Sequence, residues 1–292
     1  MPEVAAAFLP VIAVLAVLSA VSLRWSRDAV APNLAYLALP YLPTLAMPWL
    51  PPVGRALLLG GLALGAAWNF GRMTGMSTQP RFQLPALLAV AATFAAAHLG
   101  SERAFSLTPV AGLVAIAALT AVERSWEGYL QKLSLAWVTL LVYGWMFAHT
   151  VLLARAALPG MVVPEALMAT IVLAMGGAVA WSVGERVWTA LAARGGAVEP
   201  APGWLHLACT TAGGALVGVA LPFVDAPHLV ATGAGVGVAL GAAGRAYIYV
   251  VRDVSGVPLD ASGEAAQERK MKGAVLFGFA FSCAMAALVW LG

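Results

Sequence analysis

Apolar residues run in long blocks along this 292-residue chain, separated by short polar stretches. The blocks fall at 4–23, 34–52, 54–71, 83–100, 107–122, 133–156, 164–184, 203–223, 228–246 and 273–291. Each approaches the ~20 residues an α-helix needs to cross ~30 Å of hydrocarbon at 1.5 Å per residue. The pattern predicts an all-α fold, a polytopic transmembrane helical bundle of about ten spans in one integral membrane domain over 1–292. The first block has no preceding Lys or Arg and reads as a span rather than a cleaved signal. Residues 1–53 hold the N-terminal spans. The second of these contains Pro40, Pro43 and Pro48 and runs into Pro51-Pro52, so it is expected to be broken, tilted or re-entrant. Residues 54–292 form the main bundle, with the longest cytoplasmic loops expected at 185–202 and 247–272.

Composition agrees with this pattern. The chain is 62% hydrophobic and 10% charged, against about 25% charged in a typical soluble domain, and its mean hydropathy is +0.88. Too little polar surface is available to cover a water-soluble particle of this size. Charge then sets the orientation. If the loops alternate sides, all 16 Lys and Arg except Arg55, Arg103 and Arg155 fall on one side. The positive-inside rule makes that side cytoplasmic and places both termini on the other. The net charge of +3 is thus a product of topology, and nucleic acid is not expected as a partner. Only Lys132, Lys270 and Lys272 of the 16 are lysine, and the same bias toward Arg, Ala and Gly suggests a GC-rich bacterial source and an inner-membrane location. Gly214 and Gly218, and Gly233, Gly237 and Gly241, repeat at every fourth position, a spacing that lets helices approach closely within lipid.

Candidate chemistry is sparse. Cys209 and Cys283 lie inside apolar blocks as packing residues, and the four histidines show no ligand spacing, so no metal site is expected from the protein's own pattern. No carboxylate lies near the middle of a span, which argues against an ion-coupled pump. His149, in YGWMFAHTVLLAR, is the intramembrane candidate for acid–base work. Arg245 and Arg252 are candidates for holding a phosphate or lipid head group, with Asp253 and Asp260 as catalytic candidates in the same region. His206 is expected opposite them, at the start of the eighth span. There is no phosphate-binding loop of Walker type, no HExxH and no GxSxG.

The segments LALGAAWNFGRMTGM, MGGAVAWSVGERV, HLACTTAGGALVGVALP and VGVALGAAGRAYIYVVRDVSG follow one another in an order that resembles the phosphatidate cytidylyltransferase (CDP-diacylglycerol synthase) family. The resemblance runs from about residue 55 to the C-terminus. It implies a membrane enzyme that joins CTP to phosphatidate with Mg²⁺, its signature loops facing the cytoplasm. At the positions matching the family's motifs, this chain departs. The Asp of the seventh span is Gly177, the Lys-Thr pair is His206 and Leu207, and the following Glu is Cys209. The Asp of Gly-Asp-Leu is Arg245, after Gly244, and the Lys-Arg pair is Arg252 and Asp253. Mg²⁺ on transferring phosphates is held by carboxylates, which Gly and Arg cannot replace, whereas Arg245 can neutralise a phosphate directly as a bidentate donor.

The expectation is therefore a divergent, lipid-associated member without the catalytic carboxylates, acting as a partner or regulator in phospholipid metabolism. Its partners would be membrane lipids and another membrane protein or a second copy of itself. One alternative is an active CTP-dependent phospholipid or polyprenyl transferase with a Mg²⁺ site rebuilt from Asp253, Asp260, Glu264 and Glu268. The other is a small-molecule or lipid transporter built on the broken second span and the Gly-rich eighth and ninth spans.

Overall fold

The computed structural model describes residues 2–24, 46–121, 128–156, 165–194, 201–221, 226–255 and 264–291. Among them there is helix and no strand. The helices are α1 (Pro2–Arg24), α2 (Pro52–Met73), α3 (Pro80–Leu99), α4 (Glu102–Thr120), α5 (Tyr129–Leu153), α6 (Glu165–Arg194), α7 (Gly203–Ala220), α8 (Ala226–Ser255) and α9 (Glu264–Leu291). Seven of these, α2 to α8, are long and apolar enough to cross a membrane, while α1 and α9 contain the shorter apolar stretches Phe8–Ala20 and Leu276–Leu291. Outward positions carry large apolar side chains, such as Leu57, Leu88 and Leu216 at about 70% exposure. That surface suits lipid and not water. Hydroxyls inside the helices are satisfied locally: Thr93, Thr139, Thr170 and Thr232 each donate to the carbonyl four residues earlier at 2.8 Å. A polar side chain in an apolar setting has few other acceptors.

Helix ends differ from the hydropathy reading in one respect. α6 continues to Arg194, α8 to Ser255, and α9 begins at Glu264. The loops expected at 185–202 and 247–272 are thus largely helix, and only 195–200 and 256–263 lie outside the described residues. Apolar blocks end where the bilayer ends, but backbone hydrogen bonding does not. TALAAR and EAAQERKMK are rich in Ala, Glu, Gln, Arg, Lys and Met, which favour helix in water. Most of the second expected span, 34–45, also lies outside the described residues, and its far end is a short 3-10 turn at Met47–Trp49.

The chain divides into two compact units. Unit 1 takes residues 1–49, 154–245 and 285–292. Its α6 is buried on every side from Ala166 to Gly177 and packs against α1 and α7. Glycines bring α6, α7 and α8 close. A Cβ on Gly213 would collide with the Gly176 carbonyl, one on Gly214 with the Gly233 carbonyl, and one on Gly237 with the Thr210 carbonyl. Without a hydrophobic drive in lipid, such close backbone contact supplies the packing energy.

Unit 2 takes residues 50–153 and 246–284. α2, α3 and α4 follow one another through tight connections, so neighbours run antiparallel. Pro80 opens α3, after a turn in which Gly75 is left-handed at φ 75°. Gly100, at φ 72°, ends α3, and Ser101 caps α4 by accepting from the Ala104 N–H at 3.2 Å. α5 contains a π-helical segment, Thr139–Met146. There Gly144 lies against Val90 and Leu140, and α3 touches α2, α4 and α5.

Candidate functional site

Unit 1 assembles a polar cluster from three helices. Trp181 and Glu185 stand one turn apart on α6, His206 lies in the first turn of α7, and Arg245 comes from α8. The Arg245 Nη1 donates to His206 Nδ1 at 3.0 Å. A guanidinium only donates, so Nδ1 accepts and the imidazole carries its proton on Nε2. That Nε2–H is buried and has no acceptor among the described residues, in a residue only 7% exposed. The Trp181 ring packs over the imidazole with centroids 5.0 Å apart at 57°, which fixes the ring plane. The half-buried Glu185 carboxylate lies within electrostatic reach of Arg186 and Arg245.

The start of α7 adds to this field. Gly203 lets the guanidinium lie against the first turn, because a Cβ there would sit 3.0 Å from Arg245 Nε. The N-cap is Pro202, which offers no side-chain acceptor to the first N–H groups of α7. A helix N-terminus carries a partial positive charge, and its unpaired N–H groups favour an anion. A guanidinium thus lies at the Nδ1 edge of the imidazole and against the first turn of α7, while the buried Nε2–H leaves the opposite edge of the ring. Chemically, the set can receive an anion with several oxygen acceptors, such as a phosphate.

The sequence singled out Arg245 and His206, and the structure joins them by a hydrogen bond. Arg252 and Asp253 lie in the last turns of α8, and Asp260 lies outside the described residues. His149 sits apart in unit 2, where its Nδ1 meets the Trp145 carbonyl at 2.9 Å and its ring meets Phe105 and Trp145 edge-on at 5.2 and 5.1 Å. It is tied into the packing of α4 and α5. Trp181, Glu185 and Gly203 were not anticipated. The i, i+4 pair of an aromatic and a carboxylate at the end of a span was the available signal for the first two.

The positions that the resemblance matches to metal-holding carboxylates are occupied by packing. A Cβ on Gly177 would come within 3.0 Å of the Thr210 carbonyl and 3.2 Å of Leu240, and Cys209 Sγ fills the space beside Gly184. Among the described residues no three His, Cys, Asp or Glu side chains come together. Glycine, a thiol and a guanidinium do not fit Mg²⁺, which takes oxygen ligands in near-octahedral geometry.

Unit 2 holds a second buried group that the sequence did not mark. Tyr143 of the π-helical segment and Tyr247 of α8 are fully buried. Both rings pack on Phe70, at 5.8 and 5.9 Å, and on Phe277, at 5.9 and 5.5 Å. Among the described residues neither hydroxyl has a hydrogen-bond partner. The rings fill the space between them, so the cluster is a core with two polar tips.

The chain matches no protein-family model, no curated protein and no solved structure.

Proposed function

We propose that this chain is a multi-pass membrane protein that holds the phosphate of an anionic phospholipid between Arg245 and His206 and serves as a non-catalytic partner or regulator in phospholipid metabolism. The observation that carries the reading is the His206 Nε2–H, a buried donor without an acceptor, beside a guanidinium at the uncapped start of α7. A phosphate oxygen would satisfy the donor, and such charge-assisted bonds are worth about 1.5–3 kcal/mol each. The non-catalytic reading rests on the packing at Gly177 and Cys209, where the resembling family carries carboxylates.

The orientation belongs to the same reading. Arg72, Arg81 and Lys132 stand at one end of the helices of unit 2, and Arg55 and Arg103 at the other. With the larger basic set facing the cytoplasm, ten spans and non-cytoplasmic termini follow, and a bacterial inner membrane is the setting we favour. The site at the start of α7 then lies at the cytoplasmic head-group level.

Histidine-selective ¹⁵N NMR of the detergent-solubilised protein tests this, with His206→Gln assigning the resonance. The expected result is a neutral imidazole protonated at Nε2 whose Nε2–H signal shifts with phosphatidate and not with phosphatidylcholine. An unmoved signal at saturating phosphatidate would overturn the reading.

A further inference from the structure

The bond from Arg245 to His206 ties the first turn of α7 to α8, and it carries a protonation requirement. A guanidinium has N–H donors and no acceptor, and it stays charged throughout the working pH range. Its Nη1 can stand 3.0 Å from Nδ1 only while that nitrogen keeps its lone pair. With the first proton of the ring on Nε2, a second can enter only at Nδ1. An N–H would then face an N–H, and the hydrogen bond would be gone. That holds whatever else the guanidinium meets, because no further partner makes it an acceptor.

The surroundings decide which member gives way. His206 is buried, and Trp181 of α6 packs over its ring. Arg245 is only half-buried, so the guanidinium is the group with room to withdraw. Among the described residues, the other titratable groups beside the pair are Glu185 and Arg186 on α6 and Cys209 on α7. Glu185 lies within electrostatic reach of Arg186 and Arg245, and the Cys209 thiol packs against Gly184. From Thr210 onward α7 and α8 are locked by other means: Gly237 lies against the Thr210 carbonyl, and Gly214 against the Gly233 carbonyl. Loss of the Arg245 bond therefore frees the start of α7 and leaves the rest of the helix pair in place.

We propose that the Arg245–His206 bond is a proton-operated latch, closed on the neutral imidazole and opened when His206 takes its second proton. Acidification releases residues 203–209 from α8, while the glycine contacts beyond them hold. The latch turns on Nδ1 and the phosphate reading on the Nε2–H, so the two stand or fall separately.

Histidine-selective ¹⁵N NMR of the full chain, in neutral detergent and phosphate-free buffer, follows protonation of His206 from about pH 8 to about pH 4.5, across the ordinary imidazole value of about 6.5. Backbone hydrogen exchange over the same range, corrected for intrinsic rates, compares the native protein with His206→Asn. The Asn amide oxygen stands near the Nδ1 position and accepts at every pH. Once His206 is doubly protonated, native amides at 206–209 should exchange about tenfold or more faster than the variant's, the consequence of losing a bond to a charged group. At the alkaline end the two should match, and amides at 213–217 should match throughout. The ratio of exchange at 206–209 to that at 213–217 in the native protein alone carries the same prediction, independent of how the variant folds. A His206 that takes no second proton while the protein stays folded, or takes it with no change in exchange at 206–209, would overturn the latch.

Discussion

At the residue scale, the informative atoms are the buried polar ones that lack partners. His206 Nε2 belongs to an imidazole whose other nitrogen accepts from Arg245 at the start of α7, and an anion would satisfy it. Among the described residues the Tyr143 and Tyr247 hydroxyls are also without partners, but their rings pack on Phe70 and Phe277 and the Tyr247 hydroxyl lies against Gly273. A buried hydroxyl without a hydrogen bond costs stability that a matching hydrocarbon would not. Tyr143→Phe and Tyr247→Phe should therefore leave thermal unfolding in detergent unchanged or raise stability by up to about 1 kcal/mol. A loss above about 1 kcal/mol in either variant would show that the hydroxyl has an acceptor. The sequence could point to Arg245 and His206 because charge and imidazole are rare in such a chain. It could not mark the tyrosines, since a Tyr in an apolar block reads as core whether or not its oxygen is satisfied.

At the element scale, α6, α7 and α8 owe their approach to glycine, and the glycines of one helix divide into two kinds. Gly237 faces the Thr210 carbonyl on α7, where a methyl group has no room, whereas Gly235 on the same helix offers a Cβ ordinary contact with Met285 at 3.5 Å. Gly237→Ala should cost about 1–3 kcal/mol through overpacking. Gly235→Ala should be neutral or stabilising by up to about 1 kcal/mol. Thermal unfolding of the two variants side by side checks this, and equal losses would contradict the assigned helix contact. The glycine spacing was legible in the sequence because lipid leaves small residues as the means of packing. The extensions of α6 and α8 were not, because hydropathy reports where the bilayer ends and is silent on helix beyond it. The π-helical segment was likewise invisible, since its local pattern is apolar throughout.

At the scale of the whole molecule, the composition announced a membrane protein, and the apolar helices agree with it. Function was far less legible. The resemblance in layout was carried by glycines, apolar blocks and charge placement, and the matching motif positions hold glycine, a thiol and a guanidinium, which do not fit Mg²⁺. Incubation of the purified protein with CTP, phosphatidate and Mg²⁺ should accordingly form no CDP-diacylglycerol, by radiolabel assay. Product formation would return the carboxylates of Asp253 and Asp260 to consideration and contradict the non-catalytic reading. The central claim, that the chain retains an anionic phospholipid at Arg245, is tested most directly by native mass spectrometry. The protein would be ejected from nanodiscs containing equal phosphatidate and phosphatidylcholine. The account predicts one retained phosphatidate per chain, with retention reduced about tenfold or more in Arg245→Gln, the equivalent of losing a charge-assisted bond of about 1.5–3 kcal/mol. Retention of both lipids without preference, or a preference untouched by Arg245→Gln, would contradict it.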